Sequence, residues 1–140
     1  FFNEGVKIHR GLLPEAERWP PDYDLFNDMD YSLSFTSRGC INHCSFCVVP
    51  QLEGDICHRD NWLEDINLKF NKIIFFDNNW LAKDKKLWLE DVEKLKDLAK
   101  KGIKQIDFNQ SLDCRLFDEE KAKHLKGLPI NPFRFSFPLP

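Results

Sequence analysis

Three of the chain's five cysteines fall within eight consecutive residues, Cys40-Ile41-Asn42-His43-Cys44-Ser45-Phe46-Cys47. Thiolates are soft ligands suited to iron–sulfur clusters, zinc or copper(I), and three so close together converge only where the backbone loops around one metal centre. A cubic four-iron cluster has four corners. Cys40, Cys44 and Cys47 would fill three of them and leave one iron open, the position where a substrate or cofactor binds. On residue types alone, a structural zinc site is the alternative, with His43, Cys57 or His58 completing a set of four ligands. A disulfide framework fits less well, because five cysteines is an odd count and nothing in the sequence indicates secretion.

The Cys-x3-Cys-x2-Cys spacing, with the aromatic Phe46 just before the last cysteine, resembles the radical S-adenosylmethionine (radical SAM) superfamily. The flanks extend the likeness: Thr36-Ser37-Arg38-Gly39 leads in, and Val48-Val49-Pro50 with Gly54 and Arg59 leads out. The wider pattern is similar to the branch that holds methylthiotransferases and cobalamin-binding-type members. The resemblance implies a 4Fe-4S cluster whose open iron chelates the amino and carboxylate groups of S-adenosyl-L-methionine. Reductive cleavage of that cofactor then yields a 5′-deoxyadenosyl radical. It also implies a one-electron donor of flavodoxin or ferredoxin type and, through a domain outside this chain, cobalamin. In such enzymes the cofactor carries the difficult chemistry, while the protein positions it and excludes water.

The elements needed to hold such a loop can be read from periodicity. Tyr31, Leu33 and Phe35 alternate with Ser32, Ser34 and Thr36, a strand that ends at the cysteine run. Asn61 with Glu64 has the form of a capping box, and Trp62, Ile66 and Phe70 predict a short helix ending near Asn71. Lys72-Ile73-Ile74-Phe75-Phe76 is a continuous apolar run of the kind buried on both faces of a parallel sheet. Asp84 is placed to cap the longest helix, with Trp88, Val92, Leu95 and Ala99 at helical spacing and Gly102 at its end. A third strand is expected over 103–110, a helix from Asp118 through Leu125, and a fourth strand over Phe133–Phe137. Strand and helix alternate, so the fold class is α/β: a partial (β/α) barrel of parallel strands, about four strands and three helices. Residues 1–30, rich in proline and lacking a period, read as an irregular lead-in, and 31–140 as the N-terminal part of the barrel. Within the lead-in, Gly11-Leu12-Leu13-Pro14-Glu15-Ala16-Glu17 followed by Pro21-Asp22-Tyr23-Asp24-Leu25 resembles the segment before the barrel in cobalamin-binding-type members; on residue types alone it reads equally well as a tail lying on the surface.

Ligands of such sheets gather beyond the carboxyl ends of the strands, where the cysteine loop, Asp77-Asn78-Asn79 and Asn109-Gln110 all fall. Ser32, Ser34, Gln105, Asp107, Asn109, Arg134 and Ser136 are expected to face one interior, a polar lining that requires bonding partners. By the resemblance, Asp77, Asn78 and Asn79 occupy the place of a Gly-Gly-Glu run that contacts the methionyl amino group. Arg115 is then placed to clamp the methionyl carboxylate, Asn109 or Gln110 to bond ribose or substrate, Ser136 to meet the ribose, and Phe46 to lie by the adenine. Without the resemblance, Arg115 reads equally well as half of an ion pair with Asp113 or Asp118. Cys57 and Cys114 are assigned no role, and His43 reads as a loop-surface residue.

A net charge of −3 carries no electrostatic footprint for nucleic acid, and no apolar run has membrane length. Unpaired cysteines without a signal peptide point to the cytoplasm. The chain starts at Phe1 and stops at Pro140 just past an extended segment, so a fragment is expected, because a complete barrel needs more units than this length supplies.

Overall fold

The computed structural model describes residues 13–137. The expectations placed on Gly11 and Leu12 lie outside the described residues. Strands β1 (Ser32–Ser34), β4 (Lys72–Phe75) and β5 (Gln105–Phe108) form a parallel sheet in the order β1-β4-β5. Between β1 and β4 lie β2 (Ser37–Arg38), α1 (Val49–Leu52) and β3 (Cys57–His58), with β2 and β3 paired antiparallel. Helix α2 (Lys85–Lys100) links β4 to β5; then follow β6 (Leu112–Asp113), α3 (Glu119–Leu125) and β7 (Phe135–Ser136). Over the described residues the fold is mixed α/β with parallel strands and three α-helices, an open arrangement consistent with part of a barrel.

Register decides which side chains meet α2. Ile73 and Phe75 of β4 stand beside Ile106 and Phe108 of β5, and all four are buried with Trp88, Val92 and Leu95 of the helix. Phe108 stacks on Phe75 at 5.5 Å between centroids and on Trp80 at 4.3 Å. Full burial of each such side chain contributes about 1.5–3 kcal/mol. Asp84 caps α2 as its type predicts, accepting from the Lys86 and Leu87 amides at 2.9 and 3.3 Å. Gly102, at φ +115°, ends the helix in a conformation that side chains disfavour. Asp118 likewise caps α3 through the Lys121 amide at 2.7 Å.

The described part of the lead-in, residues 13–30, meets β1 through Tyr23 and β2 through Glu17. Tyr23 Oη accepts from the Leu33 amide of β1 at 2.7 Å and donates to the Asp65 carbonyl at 2.7 Å, so it satisfies an edge strand that would otherwise be open. Glu17 receives two bonds from the Arg38 guanidinium, at 2.6 and 3.0 Å.

Four expectations need correction. The stretch after Asn61 is a single 3-10 turn, Trp62–Asp65, and Asn61 makes no capping bond to its backbone. Trp62 is wholly buried, and Asp65 is drawn inward by Arg59 and by Ser34 Oγ at 2.7 Å; these tertiary bonds stop the turn after one cycle and leave Ile66 extended. Strand β4 is fully buried on one face only, Ile73 and Phe75 inward, with Lys72 and Ile74 half-buried. The expected strand over 133–137 is reduced to Phe135–Ser136, which pairs with β6 while Ile130 alone bridges to Ile106 of β5. Pro129 and Pro132 flank that bridge, and neither has an N–H to continue a ladder. Finally, the expected polar interior divides: Ser32 and Ser34 share the helix-side face with Ile73 and Phe75, whereas Gln105 and Asp107 lie on the opposite face beside Lys72 and Ile74. Arg134 reaches Asp107 on that second face.

Beneath β1 a polar network is sealed in the core. Lys83 pairs with Asp91 and donates to Thr36 Oγ1 and the Thr36 carbonyl at 2.9 and 3.1 Å, while Asp91 accepts from Trp62 Nε1 at 2.9 Å. Burial pushes the Lys83 ammonium below its ordinary value, opposed by the Asp91 carboxylate. Removing one partner of such a pair strands a charge in the core, at a cost of about 3–5 kcal/mol. Lys83→Met and Asp91→Asn are each expected to destabilise the fold by that amount in denaturant titrations, and the double variant by clearly less than their sum. Strict additivity would show that the two groups do not support one another.

Candidate functional site

The cysteine loop leaves β2 through Gly39, and its base is fixed by backbone. Gly39 has φ +77°, and a Cβ there would lie 2.1 Å from the Asp55 carbonyl oxygen, so only glycine fits. The Gly39 amide donates to Glu53 Oε2 at 2.9 Å and the Cys40 amide to the Gly54 carbonyl at 3.3 Å. Glu53 Oε2 also accepts from Asn78 Nδ2 at 2.8 Å, which joins the loop base to the end of β4. After the loop, Pro50 sits in the first turn of α1, where its missing N–H costs nothing.

Between these fixed points the three thiols are free. Cys40 is buried, with Sγ accepting from the Asn42 amide at 3.4 Å; Cys44 and Cys47 are half-buried and joined by a turn in which the Cys47 amide donates to the Cys44 carbonyl at 3.0 Å. The donor set suits a thiolate-ligated cluster: three unpaired soft ligands on one short loop without regular structure across them. Among the described residues, no three Cys, His, Asp or Glu side chains are grouped closely enough to hold a metal ion, so ligation by this set requires the loop to draw in.

The crown of the loop is tied across the strand ends by Asn42. Its Nδ2 donates to Asp113 Oδ2 at 3.3 Å, and its Oδ1 accepts from Arg115 Nη2 at 3.1 Å. Asp113, only 4% exposed at the end of β6, also accepts from Arg115 Nε at 3.0 Å, Arg115 Nη2 at 2.7 Å and Asn79 Nδ2 at 3.3 Å. One carboxylate therefore gathers the cysteine loop, the segment after β4 and the segment after β6.

The remaining expected site residues are dispersed. Asp77 is buried and turned toward the chain after β1, accepting from the Thr36 amide at 2.9 Å and from Thr36 Oγ1 and Ser37 Oγ at 2.7 Å each. Burial pushes its carboxyl above the ordinary range, against the pull of those bonds. Asn78 faces Glu53, and Asn79 faces Asp113 with its Oδ1 buried and unpartnered. Asn109 and Gln110 are exposed beyond β5; Phe46 points its ring to solvent at 82% exposure; Ser136 Oγ donates to the Leu112 carbonyl at 3.5 Å. Arg115 does make the ion pair with Asp113 that its sequence neighbourhood suggests, while staying half exposed. His43 is exposed, as expected of a loop-surface residue. Sequence reasoning missed Asn42, Glu53 and Asp113 as organisers. The only available signal was Asp113 two residues from Arg115, a spacing that suits a local pair.

The Arg115 guanidinium, with smaller help from Asn42 and against the cost of burial, holds the Asp113 carboxyl at about 2. A carboxyl whose folded value lies below its unfolded one stabilises the fold above the unfolded value, and that contribution disappears as pH falls through the folded value. Stability measured by circular dichroism is therefore expected to decline between about pH 4 and pH 2, and Asp113→Asn to flatten that part of the profile. An unchanged slope in the variant would show that other carboxyls carry the acid transition.

No family model matches the chain, and no solved structure matches it. Among curated proteins it is similar to the ribosomal protein uS12 methylthiotransferase RimO of Rhodopseudomonas palustris strain BisA53, 36% identical over 56 residues, covering 37% of this chain and 13% of that protein. The RimO proteins of Bordetella petrii (30% over 60 residues; 39% of this chain, 14% of the relative) and Xanthomonas campestris pv. campestris (37% over 51 residues; 29% and 11%) match in the same way. The chain thus spans between a tenth and a seventh of the length of these relatives. Over that partial region, the chain resembles the methylthiotransferase-like branch of the radical SAM superfamily.

Proposed function

We propose that this chain belongs to a radical SAM enzyme and that Cys40, Cys44 and Cys47 hold a 4Fe-4S cluster with one iron open for S-adenosyl-L-methionine. The observation that carries the proposal is the placing of a free three-thiol loop at the carboxyl end of a parallel sheet, where α/β folds collect their ligands. When bound, a cluster held by Cys40, Cys44 and Cys47 would supply one-electron reduction for cleavage of the cofactor's sulfonium bond.

The chain's own groups have simpler tasks. Gly39 and Glu53 hold the loop base, and Asp113 holds its crown. The exposed guanidinium edge of Arg115 offers a cation suited to the carboxylate of an amino acid, whereas the unpartnered Asn79 Oδ1 is buried and would have to be uncovered to accept from an amino group. Asn109, Gln110 and Ser136, at the ends of β5 and β7, are candidates for ribose or substrate contacts. Phe46 would need to fold inward to cover an adenine. An external one-electron donor is required, and a flavodoxin or ferredoxin would serve. The matched relatives favour a methylthiotransferase-like reaction within this class, which would require a second cluster outside the present residues.

The test is the electron paramagnetic resonance spectrum of the anaerobically reconstituted, reduced protein, with and without S-adenosyl-L-methionine. The expected result is a cluster signal that changes when the cofactor is added, lost in Cys44→Ala and retained in Cys57→Ala. Zinc bound in place of iron, or equal iron in both variants, would overturn the assignment.

A further inference from the structure

The hydrogen bonds at the loop crown separate two tasks that the sequence assigned to one residue. Arg115 directs Nε and one Nη2 bond at Asp113, and through Nη2 also reaches Asn42. Asn42 answers with a donor and an acceptor at once, and it stands between Cys40 and Cys44 in the chain. Asp113 cannot swing to follow the loop. It is buried, its strand is paired with β7, and Asn79 and Arg115 hold its carboxylate from other directions. The rigid partner is therefore the carboxylate, and the movable partner is the asparagine.

We propose that Asp113 is a positioning residue for the cysteine loop: acting through Asn42, it sets the placement of Cys44 and Cys47 relative to Cys40. The Gly39–Glu53 and Cys40–Gly54 bonds restrain only the N-terminal end of the loop, and α1 restrains only its C-terminal end. Asn42 is the one loop side chain between Cys40 and Cys47 bonded to the strand ends among the described residues. Without that tie the residues from Ile41 to Phe46 would keep hydrogen bonds only within the loop itself, the Asn42 amide to Cys40 Sγ and the Cys47 amide to the Cys44 carbonyl, and ordering them against the strand ends would fall to the ligand.

The proposal rests on the cysteine loop being the metal site, but its first test does not. In the metal-free protein, alkylation of each cysteine by iodoacetamide is followed by mass spectrometry in wild type and in Asn42→Ala, whose half-buried side chain can be removed without opening the core. Cys44 and Cys47 are expected to react several-fold faster in the variant. Cys57, on β3, is expected to keep its rate, with the thermal midpoint little changed. Unchanged rates at Cys44 and Cys47 would overturn the proposal. A rise at all cysteines would do the same, by showing general loosening. The second test uses reconstituted protein: Asn42→Ala and Asp113→Asn are expected to bind iron with a shifted midpoint potential and altered resonance, and identical values would again overturn the role. Failure of wild type to take up iron would count against the cluster assignment alone, leaving the alkylation result to stand.

Discussion

The structure hangs on a buried carboxylate–hydroxyl–ammonium chain at the end of β1. Asp77, at the end of β4, accepts from Thr36 and Ser37; Thr36 in turn accepts from Lys83, which is paired with Asp91 of α2. Each member leaves water only because the next satisfies it. An unpaired charge here would cost several kcal/mol, so the network is held together or not at all. Its effect is geometric. The chain leaving β1, the chain leaving β4 and the main helix are bound to one point, three residues before the cysteine loop begins at Gly39.

That constraint reassigns Asp77. Read from the sequence, it stands where a strand-end residue would reach a ligand; in the fold it is turned into the protein and fully engaged. The neighbouring asparagines are turned elsewhere, Asn78 to the loop base through Glu53 and Asn79 to Asp113. Three consecutive residues thus hold three different pieces of the site: the β1 end, the loop base and the loop crown. The division follows from the tight sequence of directions a chain takes as it leaves a strand, with successive side chains pointing to different sides.

The parts that were legible in the sequence are those governed by local rules. The parallel strands, the caps at Asp84 and Asp118, and the Gly102 stop depend on periodicity and on residues within a turn of one another, so the pattern carries them. The helix expected after Asn61 failed because long-range bonds overrode a local motif: Asp65 is claimed by Arg59 and Ser34, and Trp62 by Asp91. The two-faced polar alternation of β1 was legible, but its direction was not. Ser32 and Ser34 turned out to face the helix side because loop carbonyls and Asp65 wait there to satisfy them, and no periodicity records the position of such partners. Within the site, the cysteines announce themselves by spacing. Asn42 and Asp113 are 71 residues apart and announce nothing.

The site is consequently rigid where it meets the sheet and free where it presents its thiols. A cluster site needs both properties. Ligands locked too far apart could not converge on a metal, and ligands on a wholly mobile loop would have to be ordered at the expense of binding affinity. The two ends of the loop are fixed by backbone and by glycine conformation, which leave little freedom. The crown is fixed by one amide in a pair of hydrogen bonds, each worth about 1.5–3 kcal/mol when a charged group takes part. A tie of that size can order a loop and still yield by an ångström or so when a stronger ligand interaction demands it. The strength of the attachment thus decreases from the buried network, through the glycine hinge that also holds Cys40, to the asparagine, and Cys44 and Cys47 sit at the weakest end, where adjustment costs least.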